Sequence, residues 1–82
     1  EGRHKDGFDF VGIFCAKRHK ITGGESELFL NKDDFDEDAI LRKLLEENEM
    51  LVVNDKEVFH NATKLNPTGV DLGYRDVFVF TA

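Results

Sequence analysis

The sequence predicts a single α+β domain in which a mixed sheet of four to five strands packs on one helix. Three observations predict it. Short apolar, β-branched and aromatic stretches bounded by Gly, Asn, Asp or Pro recur along the chain, the pattern of strands between turns. One stretch breaks that pattern: Ile40, Leu41, Leu44 and Leu45 fall at the i, i+1, i+4, i+5 spacing of one helix face. The length of 82 residues leaves room for one core only, since a chain this short buries roughly 60–65% of its unfolded surface.

The elements follow in order. Residues 1–7 are polar with two glycines and read as a disordered N-terminus or a cloning remnant, so the domain spans residues 8–82. Phe8–Ala16 is a first strand, too short for a helix of its composition. The basic run Lys17-Arg18-His19-Lys20 and the pair Gly23-Gly24 then form a hairpin connection, because glycine takes positive φ without a steric penalty. Ser26–Leu30 is the second strand of that hairpin. The acidic run Asp33–Asp38 starts a helix that ends by about Asn48; Asp34 or Asp36 caps it, and carboxylates near its first turn suit the helix dipole. Glu46, Glu47 and Glu49 near the other end do not suit that dipole. Met50–Val53, a turn at Asn54-Asp55-Lys56 and Glu57–Phe59 make a short strand pair. Leu65–Val70 is a tight turn around Pro67, and Asp76–Thr81 is the closing strand.

Charge and composition exclude several function classes. Lys and Arg number 11 against 17 Asp and Glu, a net charge of −6, which argues against binding nucleic acid or an anionic membrane through clustered positive charge. No apolar run approaches the roughly 18 residues that span a bilayer. Cys15 is the only cysteine, so neither an internal disulfide nor a cysteine-rich zinc site can form. Without the apolar core of a secretory signal, the chain reads as intracellular, cytoplasmic or nuclear, in a reducing compartment.

Hairpin, helix, short strands and closing strand are the order of a β-grasp domain, and across residues 8–81 the chain resembles ubiquitin and its relatives. Leu51–Val58 is similar to the family's short hairpin with a lysine in the turn, and Leu65 followed by Gly69-Val70 and Gly73–Val79 is similar to the approach to its last strand. The resemblance implies that the first and last strands lie side by side and parallel, with the helix across one face. The chain departs from the conjugated members, which end in Gly-Gly; here Thr81-Ala82 follows the strand directly, so covalent conjugation and sulfur carriage are not expected.

A sheet with one face on a helix and one in water should alternate apolar and polar residues, yet the first and last strands are apolar on both sides. In the ubiquitin-like registration Val77, Val79, Leu51, Val58 and Leu28 or Leu30 meet the helix. Phe78, Phe80 and Val52 face away, with Phe10 and Phe14 beside them. That outer patch is larger than a monomer normally exposes, and the expected function is non-covalent binding of another protein through it, with Lys17, Arg18 and Lys20 steering the encounter. A homodimer through the same face, an accessory subunit of a multicomponent enzyme, and an acidic inhibitor presenting Asp33–Asp38 and Glu46–Glu49 to a basic nucleic-acid-binding target are the alternatives. Enzymatic activity is not expected. His4, His19 and His60 are far apart and outside any His-Glu-x-x-His spacing, and His19 and His60 read as exposed surface. Cys15 reads as a buried, inert thiol. Asp33–Asp38 lacks the glycine of a calcium loop, and Gly23-Gly24 lacks the Lys and Ser or Thr of a phosphate loop. No catalytic residue, metal site or cofactor is assigned on this reading.

Overall fold

A strand that is apolar on both faces sits most stably between two neighbours, and the first strand of this chain does so. The computed structural model describes residues 2–68 and 73–82. In chain order its elements are β1 (Phe10–His19), β2 (Ile21–Gly23), β3 (Ser26–Phe29), a 3-10 turn (Asp36–Asp38), β4 (Leu41–Lys43), β5 (Met50–Asn54), β6 (Phe59–Ala62), β7 (Leu65–Pro67) and β8 (Tyr74–Thr81). They form a sheet β5-β1-β8, a sheet β4-β3-β6 and a ribbon β2-β7, with every pairing antiparallel.

On one face of the first sheet Val11 lies opposite Val53, Ile13 lies between Leu51 and Val79, and Cys15 lies opposite Val77. On the other face Gly12 lies between Val52 and Phe80, and Phe14 between Met50 and Phe78. The register shifts between Cys15 and Lys17, where Ala16 is an extra residue in β1. Beyond this bulge Lys17 faces Asp76, Arg18 faces Arg75 and His19 faces Tyr74.

In the second sheet a cross-strand row of polar side chains fixes the register. Glu27 is buried on β3, opposite Arg42 on β4 and Asn61 on β6. Its carboxylate accepts hydrogen bonds from Arg42 Nε (2.7 Å) and Asn61 Nδ2 (2.9 Å). A buried carboxylate needs such partners. Leu28 from this sheet packs with Val53 and Leu51 of the first and with Val58 at the corner between β5 and β6, so the core lies where the two sheets meet.

The α+β expectation is corrected by these pairings. The described residues contain no α-helix; the segment read as one holds β4, which completes the buried row at Glu27. Of the expected helix face only Leu45 is buried, while Ile40 is half exposed. The expected caps serve other purposes: the Asp34 side chain accepts from the Asn31 amide (3.0 Å) in a local turn, and Asp36 pairs with Arg3 (2.6 Å). Two of the glutamates that disagreed with a helix dipole serve other purposes: Glu49 closes a turn on the Glu46 amide, and Glu47 accepts from the Arg18 amide of β1. The first and last strands do lie side by side, but antiparallel rather than parallel. β1 does not pair with β3, nor β5 with β6, so neither expected hairpin forms. Each of those connections instead carries the chain from one sheet to another, and the β-grasp, ubiquitin-like architecture is therefore excluded. The expected turn at Leu65–Val70 is in part strand, as Leu65–Pro67 pairs with β2; Gly69 and Val70 lie outside the described residues.

Gly23 and Gly24 take positive φ (79° and 70°) where the chain leaves the ribbon for β3. A Cβ on Gly23 would lie 2.0 Å from the Lys64 carbonyl oxygen, a backbone atom that cannot yield. At Gly12 it would meet only the Met50 Cε methyl, at 2.5 Å. Gly23→Ala is therefore expected to destabilise the protein by at least about 2 kcal/mol, the left-handed penalty plus the clash, whereas Gly12→Ala should cost under about 1 kcal/mol as Met50 swings aside. Urea unfolding of the two variants checks this ordering.

Candidate metal centre

Residues 3–8 belong to no named strand, yet hydrogen bonds place every one of them. The amide of His4 donates to the His60 carbonyl and the amide of His60 donates to the His4 carbonyl, both at 2.9 Å. Residues paired in this way present their side chains on the same face, and the two imidazole centroids are 4.3 Å apart. Asp6, two residues on, returns to that face, as extended chain alternates with a period of two. The residues between serve as anchors. Arg3 lies over the Phe29 ring (3.6 Å to its centroid), bonds the Lys32 and Asp34 carbonyls and pairs with Asp36. Lys5 donates to the Lys56 carbonyl (2.9 Å) and lies over the Phe59 ring.

The result is a cluster of two histidines and a carboxylate whose ligand atoms lie within 4.8 Å of one another. His4 Nε2 is 3.3 Å from Asp6 Oδ1, and His60 Nε2 is 3.2 Å from Asp6 Oδ2. His4 Nδ1 lies 2.9 Å from the Gly2 carbonyl, which can only accept; Nδ1 therefore donates, and Nε2 is the ring nitrogen turned toward Asp6. His60 is 7% exposed, and its buried Nε2 has no hydrogen-bond partner despite the carboxylates around it. Two imidazoles and a carboxylate brought together in this way are the donor set of a divalent cation. Two-His-one-carboxylate sites of this kind are characteristic of non-haem Fe(II) oxygenases. Cis ligands at metal bond lengths of about 2.1 Å sit roughly 3 Å apart, close to the two separations seen here. The residues present therefore fit an iron ion.

Behind the cluster stands Asp55, 1% exposed. Its carboxylate accepts from the amides of Asp6, Gly7 and Phe8 at 2.8–3.1 Å. Burial alone would raise its pKa; those three amides and the neighbouring His60 outweigh burial and hold the carboxyl below the usual range.

The cluster opens into a cavity of about 300 Å³ between the two sheets. Val11, Ile13, Leu51, Val77 and Val79 form one wall, and Ser26, Leu28, Asn61 and Ala62 the other. Arg75 is the cationic residue in its lining. The Arg75 guanidinium is tethered by Nη1 to the Gly24 carbonyl (2.8 Å).

The residues singled out from the sequence lie elsewhere. Phe10, Phe14, Val52, Phe78 and Phe80 share the face of the β5-β1-β8 sheet that points away from the cavity, and all but Phe14 are at least half exposed. Lys17 and Lys20 are exposed, and Arg18 is partly buried with Nη2 donating to the Gly23 carbonyl (3.0 Å). His60, read as surface, is buried, whereas His19 is exposed against Tyr74. Sequence reasoning passed over His4 and Asp6 because they stand in a polar segment without strand character. The His-x-Asp spacing was the signal available there, with His60 as its distant third member.

Comparison with known proteins agrees with this geometry. A family model described as 2OG-Fe dioxygenase matches residues 1–81. The crystal structure of IDO from Bacillus thuringiensis is similar with a TM-score of 0.84 at 23% identity, over 98% of this chain and 36% of that one. The crystal structure of a BsmA homologue from Methylobium petroleophilum PM1 is similar with a TM-score of 0.81 at 32% identity, over 99% of this chain and 32% of that one. The chain thus spans about a third of the length of these two proteins. No curated protein sequence matches it. These findings overturn the ubiquitin-like resemblance, and with it the expectation of a non-enzymatic protein-binding module. The apolar outer face that suggested such a module is the back of a sheet whose front lines a small-molecule-sized cavity.

Removing a direct ligand should cost more than removing a residue behind it, which typically weakens metal binding 10–100-fold. Calorimetric titration with Co²⁺ is expected to show His4→Ala binding about 100-fold or more weakly than the wild type.

Proposed function

This chain belongs to the 2OG-Fe dioxygenase family, and on that premise we propose that it forms the iron- and 2-oxoglutarate-binding part of an oxygenase acting on a small molecule. The convergence of His4, Asp6 and His60 carries the proposal. Those three side chains, which lie on the cavity lining, would hold ferrous iron. When bound, the iron supplies the redox chemistry that couples dioxygen to the oxidative decarboxylation of 2-oxoglutarate.

The chain's own residues supply the rest. Arg75 offers a planar fork of donors, the geometry that matches a carboxylate, and its tether to Gly24 limits its freedom before a ligand arrives. It is assigned to the carboxylate of 2-oxoglutarate remote from the metal. The Val, Ile and Leu side chains of the cavity keep water away from that ion pair and so strengthen it. The Gly2 carbonyl holds the His4 ring by Nδ1 and so turns Nε2 toward the site. The volume of about 300 Å³ suits a small dicarboxylate rather than a polymer.

The test is turnover of 2-oxoglutarate to succinate and CO₂ with consumption of O₂ by the whole protein under ferrous iron. Asp6→Ala is expected to abolish it. Arg75→Leu is expected to raise the KM for 2-oxoglutarate roughly 10–150-fold, the equivalent of losing one charge-assisted hydrogen bond of about 1.5–3 kcal/mol. Wild-type protein that binds neither iron nor 2-oxoglutarate would exclude the proposal.

A further inference from the structure

Asp55 is not one of the three ligands, yet it touches the elements that carry two of them. Its Oδ2 accepts three consecutive amides, from Asp6 (2.9 Å), Gly7 (2.8 Å) and Phe8 (3.0 Å). Its Oδ1 is 3.1 Å from the Asp6 amide and 3.2 Å from His60 Nε2. We infer that Asp55 is the positioning residue of the metal centre, setting the Asp6 loop against His60 before the ion arrives; this rests on the reading of His4, Asp6 and His60 as iron ligands.

Three features favour positioning over simple burial of a charge. Residues 6–8 have no ladder partners, so a single carboxylate does for this loop what a neighbouring strand does for β1. Consecutive amides turned toward one anion form a concave nest, which the positive φ of Gly7 (85°) allows. The carboxylate itself stands on a rigid corner. The Asp55 amide donates to the Asp9 carbonyl (3.0 Å), and the adjoining turn is closed by the Glu57 and Val58 amides on the Asn54 carbonyl and by the Lys56 amide on Asn54 Oδ1. With its Oδ2 given over to three amides, Asp55 acts on the loop and leaves coordination to Asp6.

Asp55→Asn tests this. The variant keeps the size of the side chain but turns one acceptor into an NH₂ group facing amide donors. Co²⁺ titration of the whole metal-free protein is expected to show affinity reduced 10–100-fold, with an unchanged circular dichroism spectrum. A folded Asp55→Asn variant that binds Co²⁺ as tightly as the wild type overturns the inference and leaves the iron site standing. A wild type that binds Co²⁺ no better than His4→Ala overturns the iron site itself. Should Asp55→Asn fail to fold, hydrogen exchange on the metal-free wild type decides the matter. Slow exchange of the Gly7 and Phe8 amides supports a loop already set, and exchange at the rate of an unstructured peptide refutes it.

Discussion

Two histidines from distant parts of the chain become neighbours because their backbones are hydrogen-bonded to each other. The reciprocal pair between His4 and His60 fixes more than a separation. It sets the side on which both rings lie, and through the alternation of extended chain it returns Asp6 to that side as well. Arg3 and Lys5 flank His4, and their contacts with Phe29, the 32–36 loop and the Lys56–Phe59 corner hold the segment down. A strand's alternation is thus imposed on residues 4–6, which have no strand of their own.

The two sheets give that cluster its surroundings. β-Branched residues and leucines on the inner face of β5-β1-β8 build an apolar wall, and the opposing sheet contributes small and polar residues where His60 emerges. Polar groups at this junction are either satisfied or oriented. Glu27 is bonded by Arg42 and Asn61, Asp55 by three amides, and His60 Nε2 faces the carboxylates of Asp6 and Asp55 at 3.2 Å without a hydrogen bond.

How much of this was legible in the sequence depends on which residues are asked. The strands at Phe10, Ser26, Met50 and Tyr74 showed in local composition, as did the positive φ of Gly23 and Gly24. Pairing did not show, because local pattern carries no record of which strand a segment meets; β1 was given β3 as a neighbour and in fact has β5 and β8. The spurious helix arose because Ile40, Leu41, Leu44 and Leu45 satisfy a helical period by coincidence, while the decisive contact, Arg42 on Glu27, joins residues fifteen apart. The site was hidden for the same reason. His4 and Asp6 lack apolar neighbours, and only tertiary pairing with His60 gives them meaning.

The extra residue at Ala16 divides β1 into two halves of opposite phase. Before it, odd-numbered residues look inward; after it, Arg18 shares a side with Arg75, and Lys17 is turned out toward Asp76. Two guanidiniums consequently stand abreast on paired strands, each moored to one carbonyl of Gly23-Gly24. Were Ala16 paired with Asp76 in a regular ladder instead of bulged out, Lys17 and not Arg18 would face Arg75. The placement of one unpaired residue therefore decides which cation stands beside Arg75 as much as the choice of side chains does.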